Sequence, residues 1–140
     1  MNSLLLKASA VLWVIWGLVH VLAGVIVLSS DATGSAQAIA DAVAPQALEA
    51  DYHAAVGAIL NQHGWNLGWI GLTTFIAAFY IWGGSANAIF LAALVGGLAD
   101  VGYFIFLDLG GFVNFMPGTL MTIVSSLAII LSFYAYFTRK

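Results

Sequence analysis

Residues 4–28 read LLLKASAVLWVIWGLVHVLAGVIVL, an apolar run whose one charged residue is Lys7. At about 1.5 Å of rise per residue, a helix of roughly 20 residues crosses the hydrocarbon core of a bilayer, so this run is long enough to span it. A secretory leader also starts with a basic residue and an apolar stretch, and Ala36-Gln37-Ala38 offers a small-residue pattern like a cleavage site. The apolar core of a leader is only about 7 to 15 residues, however, and the run here exceeds that. It is therefore expected to be retained as a first membrane helix.

The rest of the composition agrees. The chain of 140 residues is 63% hydrophobic and 6% charged, with a mean hydropathy of +1.05. A soluble domain carries about a quarter charged residues. The length allows a single membrane domain, residues 1–140, and no separate soluble module. The chain has no cysteine, which removes disulfides, thiolate metal sites and thiol nucleophiles together. Three Lys and Arg residues and a net charge of -3 leave no basic patch for a phosphate backbone, so nucleic acid is excluded as a partner.

Residues 29–62 form a connection that begins with small and polar residues, including Asp31 and Asp41. Pro45 suits the first turn of a helix, where its missing N–H would be unpaired anyway. An additional helix is predicted to begin near Pro45, with Glu49, Asp51 and His53 in its early turns. The second span is predicted at about 63–83, ending at Trp82-Gly83-Gly84, where an interfacial tryptophan and a glycine pair mark an exit. A third span follows at about 86–108. The stretch Gly110-Gly111-Phe112-Val113-Asn114-Phe115-Met116-Pro117 interrupts the pattern, and a fourth span runs over about 117–137.

The predicted fold is thus all-α, an integral membrane four-helix bundle with an extra outer-side helix. Lys7, Arg139 and Lys140 are the only basic residues. Under the positive-inside rule both termini face the cytoplasm, and four spans return them to one side. The expected location is the inner (plasma) membrane of a bacterium, with residues 29–62 and the connection from Asp108 to Asn114 on the outer side.

Depth can be counted along each span. His20 lies roughly 24 Å from Leu4, Asp100 roughly 21 Å from Ala86, Asn66 roughly 24 Å from Trp82 and Thr122 about 22 Å from Phe137. Four helices therefore offer a polar residue at one level, in the outer half of the bilayer. The stretch Gln62-His63-Gly64-Trp65-Asn66-Leu67-Gly68 contributes Asn66 to this layer and His63 about one turn further out.

Ionisable side chains in spans usually face the bundle interior and often mark function. The expected function is binding or converting a small lipid-soluble ligand in a polar pocket open to the outer half of the membrane. His20 and Asp100 are the expected catalytic, proton-sharing pair. His63, Asn66, Thr122, Tyr103, Asp108 and Asn114 are the expected ligand-binding residues. Trp16, Trp65 and Trp69 would add an aromatic wall. Against this stands a purely structural role, in which His20 pairs with Asp100 and the remaining polar groups hydrogen-bond between helices.

Two alternatives belong to other classes. Haem b could take axial histidines from facing helices, such as His20 and His63, and a divalent metal could be held by Glu49, His53 and His63, with Glu49 and His53 at i, i+4 on one helical face. An oligomeric channel, proton relay or accessory subunit of a membrane complex would use the faces of Gly17 with Gly24, and of Gly96 with Gly97, to pack neighbours or a homo-oligomer. The glycine pairs lack the strand-to-helix context and lysine of a phosphate loop. Membrane lipids are partners in every case.

Overall fold

The fold is described from a computed structural model, over residues 3–138. Five helices succeed one another: α1 (Ser3–Leu28), the short α2 (Ala32–Ala40), α3 (Ala54–Trp82), α4 (Ala86–Asp108) and α5 (Phe115–Phe137). No strand forms among the described residues. Helices α1, α4 and α5 are long and apolar enough to cross a membrane. The chain is thus all-helical and compatible with integral membrane placement. Helix α3 has the length too, at 29 residues, but Gln62, His63, Asn66 and its glycines dilute its apolar character.

Helices α1 and α3 run antiparallel, and glycines set their separation. A Cβ built on Gly17 would lie 2.7 Å from the Gly71 carbonyl oxygen, and one on Gly71 would lie 2.6 Å from that of Gly17. Seven residues along, a Cβ on Gly24 would lie 2.7 Å from the Gly64 oxygen. Only residues without a side chain let two backbones approach so closely. Gly96 is similarly filled by the Trp13 ring, and Gly97 packs against Ile129. The glycine faces expected to meet other subunits are therefore occupied inside the bundle.

The interior is built of small residues and the outside of large apolar ones. Ser9, Ala10, Thr74, Ala77, Ala78, Ala92, Ser125, Ala128, Ser132 and Ala135 are buried, around Leu6, Trp13, Trp16, Ile81 and Ile89. Leu18, Leu94, Phe106 and Ile130 stand more than half exposed. A soluble protein rarely shows so much contiguous apolar surface, whereas lipid-facing helices pack in this way. The Ser9 hydroxyl ties α1 to α5 by donating to the Ala128 carbonyl at 2.7 Å.

One end of the molecule carries Lys7, whose ammonium lies 5.3 Å from the Trp82 ring, and the packed rings of Phe90, Phe133 and Tyr136. It is the terminus end. Arg139 and Lys140, which share in the orientation argument, lie outside the described residues. At the opposite, loop end, the connections 41–43 and 112–114 are stitched together. Val43 N–H donates to the Phe112 carbonyl at 3.0 Å, and Asn114 N–H donates to that of Asp41 at 3.1 Å. Ala42 and Val113 form an isolated antiparallel bridge.

The helix expected near Pro45 is not formed at the expected length. Pro45–Leu48 is a single 3-10 turn, and residues 49–53 are non-helical. The helix of this connection is instead α2, opened by Asp31, whose carboxylate accepts from Gly34 N–H at 2.8 Å. An aspartate N-cap holds a helix start that proline merely tolerates. Helix α3 begins at Ala54, capped by the His53 ring, which accepts from Ala55 N–H.

Helix α4 is not uniform. Its α-helical pieces Ala86–Ala92 and Leu98–Tyr103 alternate with π-turns at Ala93–Gly97 and Phe104–Asp108. Each π-turn inserts a residue into the helical ladder and rotates the remainder of the helix about its axis, a device frequent at functional sites. Asp100 and Tyr103 both lie between the two π-turns. Helix α5 also starts irregularly, with Met116 extended at φ -110 and ψ 126 before Pro117.

Candidate functional site

The site begins with Trp16 and His20, one helical turn apart on α1. Their rings stack at a centroid distance of 3.6 Å. His20 Nδ1 lies 2.8 Å from the Trp16 carbonyl. A carbonyl can only accept, so Nδ1 carries a proton and donates. In the neutral imidazole, Nε2 is then the lone-pair nitrogen, and it faces Asp100 Oδ1 at 4.0 Å. The other Asp100 oxygen, Oδ2, accepts from the Trp16 indole N–H at 2.7 Å. Trp16 thus braces both members of the pair: its carbonyl fixes the histidine tautomer and its indole fixes the carboxyl.

The 4.0 Å gap is too long for a direct hydrogen bond. A polar atom about 2.8 Å from each would bridge it. Asp100 is 5% exposed, yet Asp100 and His20 both line a cavity of about 480 Å³. The cavity lies between α1 (Val19, His20, Ala23) and α3 (His63, Asn66, Ile70) on one side and α4 (Asp100, Gly102, Tyr103, Phe106) on the other. Pro117, Gly118 and Met121 of α5 line a further wall, and Ala38, Ile39 and Asp41 line it from the loop end.

Beside this space α3 packs against α4 mainly along residues 86–97, and the packing thins beyond the first π-turn. A Cβ built on Gly102 meets nothing within 4 Å, and the same holds for Gly68. Toward the terminus end the interior is closed, with Trp13, Trp16, Ile81 and Ile89 fully buried.

Several polar atoms in and beside the cavity have no hydrogen-bond partner although they are buried. They include Asp41 Oδ2, Tyr103 OH, Asp108 Oδ2 and Thr122 Oγ1. Burial of an unpaired polar atom costs about 1–3 kcal/mol, and two of these atoms, on Asp41 and Tyr103, belong to residues that line the cavity. Tyr103 OH sits against Gly118, where a side chain would displace it.

The expected site residues fall into two groups. His20, Asp100, His63, Asn66 and Tyr103 all line the cavity. Asn66 Oδ1 accepts from Trp69 Nε1 at 3.0 Å, which leaves its amide NH2 for another acceptor. Asp108, Thr122 and Asn114 are not among the lining residues. Asp108 accepts a short hydrogen bond from Thr119 at the α4–α5 connection. Asn114 serves the loop stitch, its amide donating to the carbonyls of Asp41 at 3.1 Å and Ala42 at 3.2 Å.

Comparison with protein-family models, with curated proteins and with solved structures finds no match, so the site rests on its own geometry.

The metal alternative loses its arrangement. Glu49 and His53 lie on non-helical backbone rather than one turn apart on a helix, and no three potential ligand side chains gather among the described residues. As an axial haem ligand His20 could use only Nε2, which already faces Asp100. Asp41 is legible in the sequence only as an acid in a polar connection. Its place on the cavity comes from the left-handed backbone at φ 45 that ends α2 and from the bonds to residue 114, neither of which a composition signal reveals.

Proposed function

We propose that the chain is a four-span protein of the bacterial inner membrane that binds a small lipid-soluble molecule in the cavity between α1, α3 and α4. The observation that carries this is the placement of the braced His20–Asp100 pair at the wall of a 480 Å³ cavity with apolar sides. A purely structural ion pair would be packed closed; this one faces a space large enough for a ligand. The closed interior toward the terminus end supports a site open to one half of the membrane, and weighs against a continuous channel or proton path.

The bound molecule would place a polar head at Nε2 and Oδ1 and its apolar part between α3 and α4, along Ile70, Gly102 and Phe106. Acid–base conversion of that molecule is a second reading, favoured by the fixed tautomer. With Nδ1–H committed to the Trp16 carbonyl, Nε2 and Oδ1 are the two sites between which one proton can be passed to or from a bound head.

Purification from the native membrane in a mild detergent, then extraction and mass spectrometry, tests the proposal. Gly102→Leu is the control, because Gly102 lines the cavity and a Cβ built there meets nothing within 4 Å, so a leucine is expected to fill part of the space. A lipid-soluble compound near one equivalent in the unaltered protein and depleted in Gly102→Leu is expected. Identical extracts from both proteins would overturn it.

A further inference from the structure

We infer that the ligand is a lipophilic amine, an ammonium head on an apolar body, and not an anionic or neutral lipid. The inference rests on the binding reading above and names the class of molecule for that same cavity.

Charge complementarity carries it. The lining contains two carboxyl side chains, Asp41 and Asp100, and no Lys or Arg. The imbalance extends through the whole chain. All six acidic residues, Asp31, Asp41, Glu49, Asp51, Asp100 and Asp108, belong to the loop-end half, while Lys7 is at the terminus end. A field of that sign draws cations to the cavity and repels a fatty acid or phosphate head. An anion placed there would have no cationic partner, the costliest arrangement in a medium that cannot solvate it.

The unpaired atoms agree independently. Asp41 Oδ2 is buried, lacks a partner and can only accept when ionised, and the Tyr103 hydroxyl, which can accept, is also without one. Asp100 and His20 add acceptor atoms, Oδ1 and Nε2, 4.0 Å apart, although the Asp100 carboxyl also takes hydrogen bonds from Trp16 and Ser125. An ammonium supplies several N–H donors from one centre, which suits a lining with carboxyl, phenol and imidazole acceptors better than a carbonyl or an ester would. Tyr103 and Phe106 supply aromatic faces on the same wall, and these attract a cation further.

Three probes with one twelve-carbon chain distinguish the classes: dodecylammonium, dodecanol and dodecanoate. Binding is measured on the full chain in phosphatidylcholine nanodiscs, with Gly102→Leu in the same discs as the blank for partitioning into lipid. Dodecylammonium is expected to bind at least about tenfold more tightly than either other probe. Asp41→Asn and Asp100→Asn are each expected to weaken it about fivefold or more and to narrow its advantage over dodecanol. Asp41 lies in a connection, so its variant reports even if Asp100→Asn fails to fold.

Equal or tighter binding of dodecanoate or dodecanol would overturn the amine assignment while leaving the cavity as a lipid site. An ammonium preference that survives Asp41→Asn and Asp100→Asn unchanged would overturn it as well. Failure of all three probes to bind above the Gly102→Leu blank would remove the binding reading itself, and the amine with it.

Discussion

Two tryptophans one turn apart on α1 differ in what their indole N–H groups meet, and that difference can be measured. Trp16 and Trp13 are both fully buried, but the Trp16 indole donates to Asp100 at 2.7 Å whereas the Trp13 indole N–H has no partner. Replacing either by Phe removes similar packing. Only Trp16→Phe also strips a donor from a buried carboxyl, a loss of about 1–3 kcal/mol. Thermal unfolding in detergent is therefore expected to show Trp16→Phe less stable than Trp13→Phe by that margin, and equal stabilities would deny the bond its role. The sequence exposes one half of this arrangement. Counting 1.5 Å per residue places His20 and Asp100 at one depth, because helical rise is the same for any side chain. Which tryptophan braces them depends on rotamers and on the phase of α4 after its first π-turn, and neither is encoded in spacing. Trp16 is legible only as part of an aromatic wall.

Helix by helix, the glycines divide into those that set contacts and those that leave room. Gly17, Gly24 and Gly71 face backbone atoms at distances that no Cβ tolerates, whereas Gly68 faces nothing within 4 Å. Gly24→Ala and Gly71→Ala are expected to push α1 and α3 apart and to cost about 1–3 kcal/mol each, as overpacking does. Gly68→Ala has the opposite expected sign, a gain of up to about 1 kcal/mol from helix propensity. Unfolding midpoints of the three variants check both signs. Asn114→Ala removes two hydrogen bonds of the loop stitch and is expected to cost about 1–2 kcal/mol and to raise proteolysis of the 41–44 connection. The long helices are readable from apolar run length, since lipid imposes that length directly. The helix expected at Pro45 instead starts at Asp31, because a carboxylate that accepts from a helix-start N–H stabilises it while proline only avoids a loss. The π-turns of α4 are invisible in composition, yet they flank the segment that carries Asp100, Gly102 and Tyr103.

For the whole molecule the deciding structural point is whether α3 crosses the membrane with the other three long helices. Taken alone it is too polar to be assigned by hydropathy, because Gln62, His63 and Asn66 lie in its first half. Its packing supports the proposed four spans. Residue pairs along α1 and α3 keep one antiparallel register, from Lys7 beside Trp82 at one end to Gly24 against Gly64 near the other. The stretch of α3 from Gly64 to Trp82 rises about 27 Å, close to the roughly 30 Å of a hydrocarbon core. On the four-span proposal α3 passes through the same slab as α1, and the polar groups that depress its hydropathy, His63 and Asn66, line the cavity. The absence of cysteine makes the test direct, since each introduced thiol is the only one in the chain. With four spans, Gln46→Cys and Gly111→Cys are expected to react with a membrane-impermeant maleimide from the outside of intact cells. Ser85→Cys and Thr138→Cys are expected to react only after the membrane is opened. Labelling of Ser85→Cys from outside would leave α3 on the membrane surface, and the cavity would then have water rather than lipid along its α3 wall.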